Sequence, residues 1–270
     1  MPPDLLSPVF NLTAKIEAAA RAAGFRVERF GEIEGCPLVA LTKRTPGVRP
    51  RIYVSAGIHG DEPASSLAIL EMITAGVFDN RAVWFLCPLL NPAGLARRTR
   101  ENASGADLNR DYRNLRSPEV PAHIAWLRHQ PNFDLTLALH EDWEATGFYL
   151  YEQNPRQRPS LAVPMIEAVA RSCPIDPSPL IDGREAKGGI IRPGGRSIRK
   201  GAMARIDLSA CEPYDAGVHP GDAIGAAARA ENRRAPDRRG DGDRKTVIAS
   251  TFRPIPATRK TPSYPLAAVP

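Results

Sequence analysis

Three short and nearly unbroken apolar runs constrain this chain more than any other feature. They are Arg51-Ile52-Tyr53-Val54-Ser55-Ala56, Ala82-Val83-Trp84-Phe85-Leu86-Cys87 and the stretch from Phe133 to Leu139. Runs of this length without polar alternation read as strands of a sheet covered on both faces. Helical periodicity fills the gaps between them. Pro63 opens a helix through Ala64, Leu67, Leu70, Met72 and Ile73 that Gly76 closes, and Glu119 to His129 forms another. A helix from Asn11 to Ala23 comes first, stopped by Gly24. Phe25–Phe30 and Pro37–Thr42 then alternate as edge or half-buried strands, and Phe148–Tyr151 and Ser160–Ser172 read as a late strand and helix. Strands alternating with helices give an α/β fold: a single domain with a mostly parallel mixed sheet flanked by helices.

Bulk properties narrow the function. At 270 residues and 43% hydrophobic content the chain can bury one large core. It holds no apolar run of roughly 18 residues, so no membrane span is expected. The Met1-Pro2-Pro3-Asp4 start lacks the basic and apolar parts of a secretory signal, which predicts a cytoplasmic protein. Cys36, Cys87, Cys173 and Cys211 are widely spaced and expected as free thiols. The net charge of +6 is uneven. Residues 1–195 carry 22 basic and 22 acidic side chains, and residues 196–270 carry 14 and 8. A neutral body argues against nucleic acid as partner, and the basic tail lacks the aromatic interleaving that binding would need.

The chemistry lies at strand ends. Ile58-His59-Gly60-Asp61-Glu62 is an H-x-x-E between a strand and a helix, and His140 closes the central strand Phe133–Leu139. Sites in open α/β sheets form beyond the carboxyl ends of strands. Two imidazoles and a carboxylate form the ligand set of a hydrolytic Zn2+ site with an open position for water. An H-x-x-E alone occurs by chance in many surface turns, so its meaning depends on the loop from Asn91 to Pro118. That loop is long enough to be functional. It holds Asn91-Pro92-Ala93-Gly94, Arg100-Glu101-Asn102 and Gly105-Ala106-Asp107-Leu108-Asn109-Arg110.

In this order, these motifs resemble the zinc carboxypeptidase superfamily, which includes the aspartoacylase and succinylglutamate desuccinylase type deacylases. The resemblance spans residues from about 25 to 195. It implies a zinc carboxypeptidase-like catalytic domain over 1–195 with His59, Glu62 and His140 as metal ligands. It further implies that Arg100 stabilises the oxyanion and that Asn109 and Arg110 grip a substrate carboxylate. Asp107 braces the loop or a ligand imidazole. The implied substrate is a peptide or an N-acyl amino acid with a free carboxylate.

The reaction also needs a carboxylate base, which the resemblance expects after a late strand. Glu212, 72 residues beyond His140, is the candidate, in the weakly matching context Ile206-Asp207-Leu208-Ser209-Ala210-Cys211-Glu212-Pro213. Residues 196–270 otherwise lose all periodicity and read as an aberrant, poorly ordered tail. A shifted reading frame would explain the break. Met203-Ala204 is necessarily coded ATG-GCN, so the +1 frame reads Trp there, and codons for Tyr214 to Val218 allow Thr-Thr-Leu-Glu.

Three functional readings stay open. They are a carboxypeptidase-type hydrolase, a deacylase of N-acyl amino acids on the same scaffold, and a zinc-binding product inactive for want of its base. Other residues take blander readings. Glu141 and Asp142 are cleft-rim charges, His123 and His129 lie exposed on a helix, and Trp84 and Trp126 are core. Trp143, Phe148, Tyr149 and Tyr151 either pack or line a pocket, and His219 is assigned nothing.

Overall fold

A computed structural model describes residues 3–154, 157–192 and 204–207. The chain opens with helix α1 (Pro3–Ala22), which starts earlier than its periodicity suggests and ends where Gly24 takes a positive φ. Strands β1 (Arg26–Ile33) and β2 (Cys36–Lys43) form an antiparallel hairpin. Next come β3 (Arg51–Ser55), α2 (Pro63–Thr74) and β4 (Val83–Cys87). The long loop contains two short helices, α3 (Pro92–Arg97) and α4 (Leu108–Asp111). Beyond it lie α5 (Glu119–Arg128), β5 (Leu135–His140), β6 (Leu150–Tyr151) and α6 (Ala162–Val169). Strands β7 (Leu180–Ile181), β8 (Arg184–Lys187), β9 (Ile190–Ile191) and β10 (Ala204–Asp207) complete the described residues.

The ten strands are ordered β1-β2-β4-β3-β5-β10-β6-β9-β8-β7. The central neighbours β4, β3, β5 and β10 run parallel, and antiparallel pairs flank them. The mixed, helix-flanked α/β sheet is the architecture expected from the sequence.

Side chains along β3 alternate between two cores. Ile52 and Val54 pack with Ile16 and Ala20 of α1, Ile69 and Met72 of α2, and Met165 of α6. Tyr53 packs on the other side with Phe85, Val120 and Trp126. Both faces are therefore covered, which is why these strands carry no polar alternation. Each such side chain contributes about 1.5–3 kcal/mol by leaving water, enough to hold the strand ends rigidly.

Three expectations are corrected. Strand β2 lies inside the sheet between β1 and β4, so it is buried along most of its length and is neither an edge nor half-buried. His123 is only 1% exposed, because α5 turns Val120, His123 and Trp126 inward on one face. Cys36 and Cys87 are free and buried, but Cys173 is disulfide-bonded. Trp84 and Trp126 are core residues, and Phe148, Tyr149 and Tyr151 are packed in the interior. His129 is exposed. Of the span 196–270, only Ala204–Asp207 is described, paired parallel with β5 and antiparallel with β6. Glu212, Cys211 and His219 lie outside the described residues. No described helix is long and apolar enough to cross a membrane.

Candidate metal centre

Strand order creates the site. Strand β3 has β4 on one side and β5 on the other, so the chain leaving β3 and the chain leaving β5 diverge there. Crevices form at such switch points, beyond the carboxyl ends of the strands. Ser55, the last residue of β3, pairs with Ala138, so β5 runs two residues further. His59, four residues past Ser55, and His140, two past Ala138, emerge side by side, with ring centroids 4.9 Å apart.

The turn carrying His59 is held by close backbone packing. A Cβ on Gly60 would overlap the Gly94 carbonyl carbon, so the His59–Glu62 turn rests directly on α3. Gly57, at φ +62, turns the chain out of β3. Asn91 is fully buried and caps α3 by accepting from the Gly94 N–H at 2.8 Å. Its amide also donates to the carbonyls of Ile58 and Arg100, both at 3.3 Å. One side chain thus ties the H-x-x-E turn to the arginine loop.

His59, Glu62 and His140 are all buried, and their candidate ligand atoms lie within 4.8 Å of one another. Nδ1 of His59 is 2.6 Å from Oε1 of Glu62, and Nδ1 of His140 is 2.8 Å from Oε2. The Glu141 N–H donates to the same Oε2 at 3.2 Å. Burial opposes ionisation of Glu62, but the His140 and His59 contacts outweigh it and bring its pKa down to about 2. Burial likewise opposes the charged form of His59, yet the neighbouring Asp107 and Glu62 carboxylates raise its pKa above the ordinary value. The Nε2 of His59 is buried without a hydrogen-bond partner, 3.6 Å from Oδ1 of Asp107.

Asp107 joins three parts of the site. It caps α4 by accepting from the Arg110 N–H at 3.2 Å, accepts from Arg100 Nε at 3.0 Å, and faces His59. Burial raises its pKa, but His59 and Arg100 outweigh that and hold the carboxyl well below the usual range. Arg100, half-buried, reaches with Nη1 to 3.8 Å from Glu62 Oε1. Asn109 is half-buried and Arg110 exposed on α4, directly after Asp107. Arg110 has no ion pair among the described residues.

The rim residues have local roles. Glu141 accepts from the Ala64 N–H, and Asp142 accepts from the Tyr149 hydroxyl at 2.7 Å. Trp143 is 89% exposed. The sequence reading missed Asn91 as a cross-link between loops, although Asn-Pro at a helix start is a capping signal. It also missed Glu119, a buried carboxylate that accepts from the Asn102 amide at 3.0 and 3.2 Å. Asn102 in turn accepts from the Ser104 and Ala106 N–H groups, shaping the turn between Arg100 and Asp107.

The donor set fits a zinc ion: two imidazole nitrogens and one ionised carboxylate converge, and an aspartate stands behind one imidazole. Residues 48–175 match the model of the succinylglutamate desuccinylase/aspartoacylase catalytic domain family. Carboxypeptidase SOL1 of Arabidopsis thaliana is 30% identical over 134 residues, covering 40% of this chain and 27% of that protein. The chain therefore spans only about a quarter of that relative. A candidate metallopeptidase of Shewanella denitrificans shares the fold with TM-score 0.64 and 22% identity, over 82% of this chain and 87% of that one. A metallo-carboxypeptidase of Burkholderia cenocepacia does so with TM-score 0.58 and 20% identity, over 80% and 66%. Carboxypeptidase A of Helicoverpa armigera does so with TM-score 0.56 and 16% identity, over 82% and 72%. At these identities the likeness to solved structures shows the fold. Together, the matched segment and the shared fold support the zinc carboxypeptidase superfamily, deacylases included.

Proposed function

We propose, with that superfamily as premise, that this chain is a zinc-dependent hydrolase cleaving an amide bond next to a free carboxylate. One observation carries the reading. The Nδ1 atoms of His59 and His140 converge on the two oxygens of Glu62, with the Arg100 guanidinium 3.8 Å from the same carboxylate. His59, Glu62 and His140 would hold the ion. Zinc there supplies Lewis-acid polarisation of a carbonyl and lowers the pKa of water towards ~7.

The protein's own groups do the rest. Arg100 is fixed by Asp107 at 3.0 Å and donates to the oxyanion that forms as the carbonyl is attacked. Asp107 keeps the His59 ring oriented and its far nitrogen facing a carboxylate. Asn109 and Arg110 bind the substrate's carboxylate. The exposed guanidinium on α4 suits a two-bond contact. Glu212 is the proposed base. Asp207 pairs with His140 in a parallel ladder, so β10 ends at the metal rim. Five further residues span at most ~17 Å from there.

A second reading has its own support. The matched family model is that of the desuccinylase and aspartoacylase catalytic domain, which favours a deacylase of N-acyl amino acids. A substrate panel separates the two on zinc-loaded protein. Release of C-terminal residues from peptides supports the peptidase, and hydrolysis of acetyl- or succinyl-amino acids supports the deacylase. A zinc-loaded chain that turns over neither class would refute both and leave the inactive-product reading.

A further inference from the structure

The proposed carboxylate clamp sits on α4, a helix of four residues. So short a helix has no stability of its own, and whatever fixes it also fixes Asn109 and Arg110. Its N-terminal end is held by Asp107 and its buried Leu108. At its other end, Asp111 accepts from the Arg116 N–H at 3.0 Å and the Ser117 N–H at 2.8 Å. A further tether is Tyr112, which caps the helix and whose hydroxyl bonds to Nδ1 of His123.

His123 has a second partner. Its Nε2 lies 2.7 Å from the Tyr53 hydroxyl, and Tyr53 is at the centre of β3, the strand that delivers His59. The ring stacks on Trp126 at 6.3 Å and 13°. A neutral imidazole has one donor and one acceptor, so one phenol donates to it and the other accepts. Phe and Leu would fill this core position as well, but neither could join two hydroxyls on different elements. The hydrogen bonds that link Tyr53, His123 and Tyr112 involve no candidate metal ligand.

We propose that His123 and Tyr112 are positioning residues for substrate binding. The buried chain Tyr53–His123–Tyr112 sets the substrate-carboxylate clamp on α4 relative to the strand that carries the metal ligand. The inference rests on the reading of Asn109 and Arg110 as that clamp.

Two measurements on the full zinc-loaded chain test it. The first is amide hydrogen exchange in Tyr112→Phe, which keeps the ring and removes only the hydroxyl. Exchange over residues 108–115 should accelerate roughly fivefold, the worth of one neutral hydrogen bond, while α5 and β3 stay protected. Unchanged exchange there, or an equal rise throughout, overturns the proposal. The second is calorimetric affinity for an N-acetyl amino acid, with KM where turnover is measurable. Tyr112→Phe and His123→Phe should weaken binding roughly fivefold at unchanged kcat, and His123→Gln, which retains a donor and an acceptor, should recover most of the loss. Full affinity in Tyr112→Phe, or no rescue by His123→Gln, refutes the proposal. Arg110→Ala serves as the reference. If it leaves affinity unchanged, the clamp reading fails, and the exchange data still decide whether Tyr112 holds α4.

Discussion

His123 gives a quantitative prediction for stability against pH. Burial lowers its pKa to about 4, against about 6.5 in an unfolded chain. Above pH 6.5 the ring is neutral in both states and the native state has its full stability. Below that the unfolded chain takes up a proton that the native state refuses, so stability falls as pH falls. The slope approaches ~1.4 kcal/mol per pH unit for one proton, and the total over ~2.5 units is about 3 kcal/mol. The carboxylates with lowered pKa, Glu62 among them, lose stability only as pH drops below the unfolded carboxylate range. His59, whose pKa is raised, acts in the opposite direction and above pH 6.5. The difference between wild type and a His123 variant between about pH 4.5 and 6 therefore isolates His123. The assay is urea unfolding at half-unit pH steps with a chelator present, since bound metal brings its own proton linkage. Across that interval wild type should lose up to about 1.4 kcal/mol per unit more than His123→Gln. Equal slopes in the two proteins would refute the assignment of a buried neutral imidazole.

Arg100→Ala should lower kcat by ~10²–10³ with the metal retained, as expected for a lost oxyanion donor; a change confined to KM would contradict that role. Gly60→Ala forces a Cβ into the Gly94 backbone and should cost about 2 kcal/mol or more in unfolding free energy, whereas a neutral result would mean that the turn does not rest on α3. If the tail arises from a frame shift, the coding DNA will read GCT at Ala216 and GGA at Gly217; any other codon at either place removes the Thr-Leu-Glu reading.

Much of this molecule is legible in its residues alone. The unbroken runs around Tyr53, Phe85 and Leu137 signal strands buried on both faces, and both faces are indeed covered. His59 and His140 stand out because strand ends can be read from such runs, and they do emerge together. Strand order cannot be read in this way. Nothing in the alternation of Pro37–Thr42 tells whether β4 lies beyond it, so the expectation of an edge or half-buried strand fails for β2. His123 reads as a surface residue because it is polar, though its spacing from Val120 and Trp126 puts it on their face of α5. Asn91 and Asn102 look like loop polarity in sequence. Their value lies in long-range bonds to Ile58, Arg100 and Glu119 that only the assembled fold brings within reach. Residue types and local period carry the elements, whereas contacts between distant loops depend on topology.

Metal analysis of purified protein tests the central claim most directly. After dialysis against a weak chelator, wild type should retain about one zinc per chain, and His59→Ala, Glu62→Ala and His140→Ala should each retain almost none while keeping wild-type circular dichroism. Undiminished zinc in the folded His59→Ala variant would contradict the convergence of these three side chains on one ion, and the proposed hydrolase with it.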